Sequence, residues 1–190
     1  MEKPQDFLVV VDMQVDFVSG ALGTPEARAI VPAVCAKIRA WPGRLALTMD
    51  THGADYLKTQ EGHYLPIEHC VKDQPGWQLV PEIAAELAKR RTDLAASPAS
   101  LSSEQRFAKR TFGSVELAQY LTTEHARQPI DVIELVGLCT DLCVISNALL
   151  LKAYLPEVPL RVDASCCAGA TPKGHQTALA ALKVCQVEVF

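Results

Sequence analysis

Three side chains far apart in the chain, Asp12, Lys109 and Cys143, are of the types that together activate a thiol. A free thiol has a pKa of about 8.5, so little of it is thiolate at neutral pH. A nearby carboxylate can accept the thiol proton, and an ammonium group can stabilise the resulting thiolate. These residue types indicate nucleophilic catalysis. Taken singly, each has an ordinary alternative role, as a turn cap, a solvated lysine or an inert buried cysteine.

A second set of residues suits a transition metal. Asp50 and His52 alternate along one short segment, and Glu61 and His69 follow within a polar stretch that can fold back over them. Carboxylate oxygens and imidazole nitrogens are common ligands of Zn²⁺, Mn²⁺ and Fe²⁺. His63 competes as a ligand, but its flanking residues carry no further signal, and we expect it to be a solvent-exposed loop histidine.

The element that must position Cys143 is a strand followed by a helix. The run Val132–Val136 is apolar apart from one glutamate and rich in β-branched residues, which is typical of a buried parallel strand. Gly137 ends the run, and Thr140-Asp141 has the chemistry of a helix N-cap. Cys143 then falls in the first helical turn, where free N–H groups and the helix dipole favour a thiolate.

The other reactive residues also lie at the ends of predicted strands. Asp12 follows the apolar run Phe7–Val11, Asp50 follows Leu45–Met49, and Lys109 ends the short, ambiguous strand Gln105–Lys109. Parallel strands of one sheet point the same way, so their carboxyl ends lie along one edge. Residues distant in sequence are therefore expected to converge there.

Alternation of strands and helices along the whole chain predicts a parallel sheet with helices on both faces. The remaining predicted strands are Leu160–Val162 and Gln186–Phe190, and the predicted helices are Pro25–Ala40, Leu79–Leu87, Ser114–Thr122 and Pro172–Lys183. Loops are expected over Thr51–Gly76, without periodicity, Ala95–Glu104 and Ser165–Pro172. The fold class is thus α/β, as a single Rossmann-like three-layer domain spanning residues 1–190.

Composition excludes several classes of function. The chain of 190 residues is 49% hydrophobic and 21% charged, which is typical of a globular domain with a substantial core. A net charge of −4 without a basic block argues against nucleic acid as a partner. No apolar run approaches membrane-spanning length, and the start lacks the features of a signal peptide. With seven irregularly spaced cysteines, we expect reduced thiols and a cytoplasmic location.

Three segments resemble the isochorismatase-like cysteine hydrolases, and within that family the nicotinamidases. Leu8–Phe17 matches the family's apolar strand followed by D-x-Q-x-D-F, and Phe107–Phe112 matches its lysine strand. Val136–Val144 matches the highly specific G-x-x-T-D-x-C-V signature. The three segments occur in the family's order, and the resemblance extends over essentially the entire chain.

This resemblance implies specific catalytic roles. Cys143 is the expected nucleophile, Asp12 the base and Lys109 the third member of the triad. The backbone N–H groups of Cys139 and Cys143 are expected to form the oxyanion hole, with a cis peptide between Leu138 and Cys139.

The resemblance also implies a metal site and a pocket. Asp50, His52 and His69 match the metal triad of nicotinamidases, and Glu61 resembles a fourth ligand, with zinc expected and iron or manganese as alternatives. The substrate pocket is expected to be lined by Phe17, Tyr64, Phe112 and Leu142. Two positions depart from the nicotinamidase pattern, since Leu65–Glu68 and Leu142 stand where aromatic residues are frequent.

The expected reaction is hydrolysis of nicotinamide to nicotinate and ammonia through a thioester, by an enzyme that binds a small-molecule amide and forms a homo-oligomer. An alternative within the family is an amidohydrolase that acts on a carbamoyl or ureido compound. From another class, the chain would be a small-molecule binder or a thiol redox sensor. A binder, however, has no need for Asp12, Lys109 and Cys143 together.

Overall fold

Six parallel strands form one sheet in the order β3-β2-β1-β4-β5-β6. The computed structural model describes residues 5–95 and 104–190, so the predicted loop Ala95–Glu104 lies almost wholly outside the described residues. The strands are β1 (Phe7–Val11), β2 (Arg44–Asp50), β3 (Gln105–Lys109), β4 (Ile133–Leu138), β5 (Leu160–Ala168) and β6 (Glu188–Val189). The predicted parallel sheet is therefore confirmed, including the ambiguous strand that ends at Lys109.

Helices connect the strands and cover both faces of the sheet. They are α1 (Val15–Val18), α2 (Pro25–Ala40), α3 (Gln60–Tyr64), α4 (Pro81–Ala95), α5 (Val115–Arg127), α6 (Ile145–Tyr154) and α7 (Pro172–Val184). Short 3₁₀ turns occupy Tyr56–Lys58 and Pro75–Trp77, and a π-helical turn, Thr140–Val144, precedes α6. Among the described residues, no helix is both long and apolar enough to cross a membrane.

Alternating side chains of β1 divide the core into two layers. Leu8 and Val10 belong to one cluster of buried residues, which includes side chains of α2 and α4. Val9 and Val11 belong to the other cluster, which includes side chains of α5, α6 and α7. Because both faces of this strand are buried, its sequence is continuously apolar rather than alternating.

Hydroxyl side chains begin three of the long helices. Thr24, Ser114 and Thr171 each accept a hydrogen bond from the backbone N–H three residues later, at the start of α2, α5 and α7. Proline follows at the first helical position of α2 and α7, where its missing N–H has no cost.

Several predicted boundaries are wrong. Strand β4 continues through Gly137 to Leu138, α5 continues past Thr122 to Arg127, and β6 is limited to Glu188–Val189. The stretch Thr51–Gly76 is not structureless. It contains a 3₁₀ turn, helix α3 and a backbone bridge between His52 and Val71. The predicted loop Ser165–Pro172 begins too early, since β5 continues to Ala168 beside β4. Helix α4 continues past Leu87 to Ala95, because lysine and arginine are good helix formers on an exposed face.

Candidate active site

Strand register brings the predicted reactive residues to one edge of the sheet. Val11 of β1 is paired with Thr48 of β2 on one side and with Gly137 of β4 on the other. Asp50 is paired directly with Lys109 across β2 and β3. The carboxyl ends of four strands therefore lie side by side, as the sequence predicted.

Lys109 lies at the centre of the first group of residues. Its Nζ is 2.7 Å from Asp12 Oδ2, 3.3 Å from Cys143 Sγ and 3.4 Å from Asp50 Oδ1. Asp12 is wholly buried, and Lys109 and Cys143 are each only 4% exposed. The structure thus brings Asp12, Lys109 and Cys143 into contact in a site almost closed to bulk water.

Burial and mutual charge shift the pKa of all three groups. Burial raises the pKa of Asp12, although the ammonium of Lys109 opposes this. Burial lowers the pKa of Lys109, but the carboxylate of Asp12 and the thiol of Cys143 outweigh it, so this pKa is raised. Burial and the charge of Asp12 raise the pKa of Cys143. At neutral pH these shifts favour a protonated Cys143 thiol. They also make Asp12 a stronger base than an ordinary aspartate and keep Lys109 a cation, which can stabilise the thiolate.

The backbone of Asp12 has an unusual conformation. Its φ of 46° lies in the left-handed region, which non-glycine residues seldom adopt. Thr48 Oγ1 donates a hydrogen bond to Asp12 Oδ1 at 2.7 Å, so one carboxylate oxygen is held by Thr48 and the other by Lys109. Positions of this kind cluster at functional sites because the surrounding structure must hold them.

Cys143 lies in the π-helical turn between β4 and α6. The Leu138–Cys139 peptide is cis, as expected, and Val144 N–H donates to Cys139 C=O at 3.0 Å. The predicted Thr140-Asp141 cap is wrong, because Cys139 occupies the N-cap position without a side-chain cap.

The Thr140 and Asp141 side chains instead bind the segment around the start of α7. Thr140 Oγ1 is 2.8 Å from His175 Nδ1, and Asp141 Oδ1 accepts the Ala170 N–H at 2.9 Å. These contacts fix the reactive turn against the segment after β5.

The second group consists of Asp50, His52, Glu61 and His69, whose ligand atoms all lie within 4.8 Å of one another. Asp50 Oδ2 is 3.0 Å from His52 Nε2 and 3.4 Å from His69 Nε2. Glu61 Oε1 is 3.7 Å and 3.9 Å from the same two nitrogens. Ligand atoms about 2.0 Å from a tetrahedral Zn²⁺ are about 3.3 Å apart, so the four residues fit such an ion.

The orientation of His69 supports this fit. Its Nδ1 is 2.8 Å from the Ile67 carbonyl, so Nδ1 donates and Nε2 is the nitrogen that faces Asp50. A backbone carbonyl that fixes the far ring nitrogen is typical of histidine metal ligands. His63 is exposed and lies outside the group, as expected.

A cavity of about 380 Å³ opens onto both groups, and we call it the thiol cavity. Its lining includes Asp50, Glu61, His69, Cys139 and Cys143 together with the four predicted pocket residues Phe17, Tyr64, Phe112 and Leu142. Phe17 is buried, whereas Tyr64 is 86% exposed and Phe112 is 41% exposed. The two exposed aromatic rings therefore lie toward the solvent side of the cavity.

Comparison with known proteins identifies the family of this chain. The model of the isochorismatase domain family matches residues 6–190. The chain belongs to the isochorismatase family. A search of curated proteins found no match.

Solved structures of this fold cover nearly the whole chain. A pyrazinamidase of Pyrococcus horikoshii in complex with zinc has a TM-score of 0.76 and 23% identity, over 98% of this chain and 99% of its own. A pyrazinamidase/nicotinamidase of Streptococcus mutans has a TM-score of 0.78 and 24% identity, over 97% and 99%. An N-carbamoylsarcosine amidase of Thermoplasma acidophilum has a TM-score of 0.70 and 21% identity, over 97% and 95%.

In this isochorismatase-family chain, sequence reasoning missed one buried residue beside Cys143. Asn147 donates to the Cys143 carbonyl at 2.8 Å and to the Phe112 carbonyl at 3.1 Å, and its Oδ1 accepts the Ser114 N–H. Its only sequence signal is a polar residue on the apolar side of α6.

Gln14 and Asp16, the glutamine and the second aspartate of the D-x-Q-x-D-F segment, both support the group formed by Asp50, His52, Glu61 and His69. Gln14 accepts the Asp50 N–H at 2.7 Å and donates to the Asp50 carbonyl at 2.9 Å. Asp16 accepts the Cys70 N–H at 2.7 Å, directly after His69. The segment after β1 therefore holds both ends of the metal-binding stretch.

Proposed function

We propose that this isochorismatase-family chain is a cysteine amidohydrolase that converts a small primary carboxamide into a carboxylate and ammonia. The observation that carries the proposal is the contact of Lys109 Nζ with both Asp12 and Cys143, because Cys143 itself lines the thiol cavity. A protein that only bound a ligand would gain nothing from burying this base, cation and thiol together, since burial of charges is costly.

In the proposed reaction, Asp12 takes the thiol proton and Cys143 Sγ attacks the amide carbon. The oxyanion forms against the backbone N–H groups of Cys139 and Cys143, and one such donor is worth about 3–4 kcal/mol. Asp12 returns its proton to the departing nitrogen. Ammonia then departs, and the acyl group remains bound to Cys143 as a thioester. Water, deprotonated by Asp12, cleaves the thioester and restores the Cys143 thiol. Lys109 stabilises the negative charge on the Cys143 sulfur both when the thioester forms and when water cleaves it.

Asp50, His52, Glu61 and His69 would hold one divalent metal, zinc by the donor set and by likeness to the zinc complex of the pyrazinamidase. When bound beside the thiol cavity, a metal supplies a Lewis acid that can position a ring nitrogen of the substrate. Nicotinamide is therefore the specific substrate that we propose, with nicotinate as the product. The cytoplasmic location and the homo-oligomer remain predictions from the sequence.

A carbamoyl or ureido compound is the second candidate substrate. The thiol cavity is lined by Leu22, Leu65 and Leu142 where ring-stacking aromatic residues would suit a pyridine better. One structure of similar fold is an N-carbamoylsarcosine amidase.

The test is an ammonia-release assay with nicotinamide, pyrazinamide, benzamide and N-carbamoyl amino acids, with metal analysis of the same sample. We expect nicotinamide to exceed benzamide, which has the same shape without the ring nitrogen, and about one metal per chain. Faster turnover of N-carbamoyl compounds would favour the second candidate. No ammonia from any amide would contradict the proposed function.

A further inference from the structure

A second cavity lies beside the thiol cavity and contains an arginine that the catalytic scheme leaves without a role. This outer cavity has a volume of about 660 Å³ and shares Glu61, Tyr64 and Phe112 with the thiol cavity. Arg110, the residue after Lys109, lines it. A substrate whose amide lies at Cys143 can therefore extend past the shared aromatic residues toward Arg110.

Arg110 differs from the other arginines of the chain. Each of the others forms an ion pair with a carboxylate or donates to a backbone carbonyl. Among the described residues, Arg110 does neither. Its Nη2 lies 3.4 Å from the point where a Cβ on Gly53 would stand, and Asp55 Oδ1 lies 2.6 Å from the same point, so Asp55 is a near neighbour of this guanidinium.

The charges around Arg110 leave its five N–H donors available. It is the only lysine or arginine among the residues that line the outer cavity, and the acidic residues there are Asp55 and Glu61. Glu61 belongs to the group that fits a metal, and no ion pair joins Asp55 to Arg110 within the described chain. A planar guanidinium without a protein partner is suited to bind a carboxylate in a bidentate manner.

We propose that Arg110 binds a carboxylate at the end of the substrate remote from the scissile amide, so that, of two amides with the same chain, the one with a terminal carboxylate is preferred. The inference rests on the proposed amide hydrolysis and specifies the far end of the substrate. A pyridine carboxamide with a carboxylate on its ring meets both proposals, as does a dicarboxylic acid monoamide. Asp55, as the nearby like charge, weakens the binding of such an anion.

The test compares kcat/KM for matched pairs of amides, glutaramate against valeramide and adipamate against hexanamide. Each pair differs only by a carboxylate in place of a terminal methyl group, so their ratio cancels effects on folding and on the shared chemistry. We expect the anionic member to be favoured by about tenfold or more, which corresponds to about 1.4 kcal/mol. The ratio should fall as salt increases, because Arg110 is exposed.

Variants give the residue-level evidence. Arg110→Gln should reduce the ratio to about one, Arg110→Lys should leave an intermediate ratio, and Asp55→Asn should raise it. The matched control is Arg106→Gln, which removes an exposed arginine of β3 that pairs with Glu104 and should leave the ratio and the activity unchanged. An unchanged ratio in Arg110→Gln, or a wild type that prefers the neutral amides, would overturn this inference alone. Absence of hydrolysis for every amide would instead overturn the proposed function.

Discussion

Asp12, Lys109 and Cys143, here called the thiol group, lie beside Asp50, His52, Glu61 and His69, here called the metal group. The two groups are held in different ways. Asp12 and Lys109 lie at the ends of β1 and β3, where the register of the sheet positions them, and Cys143 lies in the π-helical turn that follows β4. Of the metal group, only Asp50 belongs to a strand, and the other three residues lie in the segment 51–76. The two groups meet at Asp50 and Lys109, which are paired between β2 and β3 and whose side chains approach to 3.4 Å between Oδ1 and Nζ.

This difference suggests a division of labour that can be tested. A rigid strand edge suits the reacting atoms, whose distances must hold to within a few tenths of an ångström. A loop can change in sequence without disturbing the sheet, so it suits residues that select a substrate. If the division is correct, variants in the thiol group lower kcat for every amide, and variants in the metal group act mainly on KM for particular amides.

The largest effect is expected for Cys143→Ala, which removes the proposed nucleophile. Amide hydrolysis should fall by at least about 10⁴-fold for every substrate, while metal content remains unchanged. Cys139→Ala is the control, because Cys139 is proposed to act through its backbone N–H, and it should keep most of the activity. Ammonia release and metal analysis of both variants measure this, and a Cys143→Ala enzyme within tenfold of wild type would rule out the assignment.

A smaller loss is expected for Asp12→Asn. Asparagine keeps the size and can still accept a hydrogen bond from Thr48, but it cannot take the thiol proton. The rate should fall by about 10²–10⁴-fold for ring and aliphatic amides alike, whereas loss of a mere cap would cost only about 0.5–2 kcal/mol of stability. Steady-state kinetics beside a melting curve separates the two roles, and near-normal turnover would make Asp12 structural.

His69→Ala tests the metal side of the comparison. It should release the metal and raise KM for nicotinamide by about 10–100-fold, with a much smaller effect on an aliphatic amide. His63→Ala, in the same segment but outside the metal group, should do neither. Equal losses for both substrates would mean that the metal takes part in the chemistry or holds the loop, and the division of labour would fail.

Asp12 and Asp50 were predictable because each follows an apolar run. Parallel strands with both faces buried are continuously apolar, so the polar residue that ends each run marks the edge of the sheet. That reasoning locates Asp12 and Asp50, whereas Lys109 ends a polar and largely exposed strand and was singled out by its residue type and by the family resemblance. The family resemblance added the choice of Cys143 over Cys139.

The segment 51–76 was harder to predict because its turns are held by single contacts rather than by a periodic pattern. Tyr56 is wholly buried, and its hydroxyl donates to the Leu65 carbonyl at 2.9 Å. Thr59 accepts the Gly62 N–H and so begins α3. Asn147 and Gln14 were missed for a related reason, since their partners are mainly backbone atoms that only the folded chain brings near.

A third group of charges, at the opposite edge of the sheet, gives the smallest expected effect. Lys37 Nζ lies 2.8 Å from Glu134 Oε1 and 2.7 Å from Asp163 Oδ2. Glu134 is paired with Leu8 near the start of β1, so this group lies far along the strands from the carboxyl-end site. Burial raises the pKa of Asp163, but hydrogen bonds from Lys37 and Ser165 outweigh it, and the pKa is lowered.

A carboxyl group whose pKa is lowered by folding stabilises the native state above its unfolded pKa of about 3.9 and loses that contribution as pH falls through the folded value. Asp163→Asn should therefore lower the free energy of unfolding by about 1 kcal/mol at neutral pH, with little difference from wild type in strong acid. Amide hydrolysis at neutral pH should be unchanged. Urea unfolding across the acid range measures this, with Asp93→Asn on an exposed helix face as the control. A stability difference that persists at low pH would show that packing, and not the ion pair with Lys37, is what Asp163 contributes.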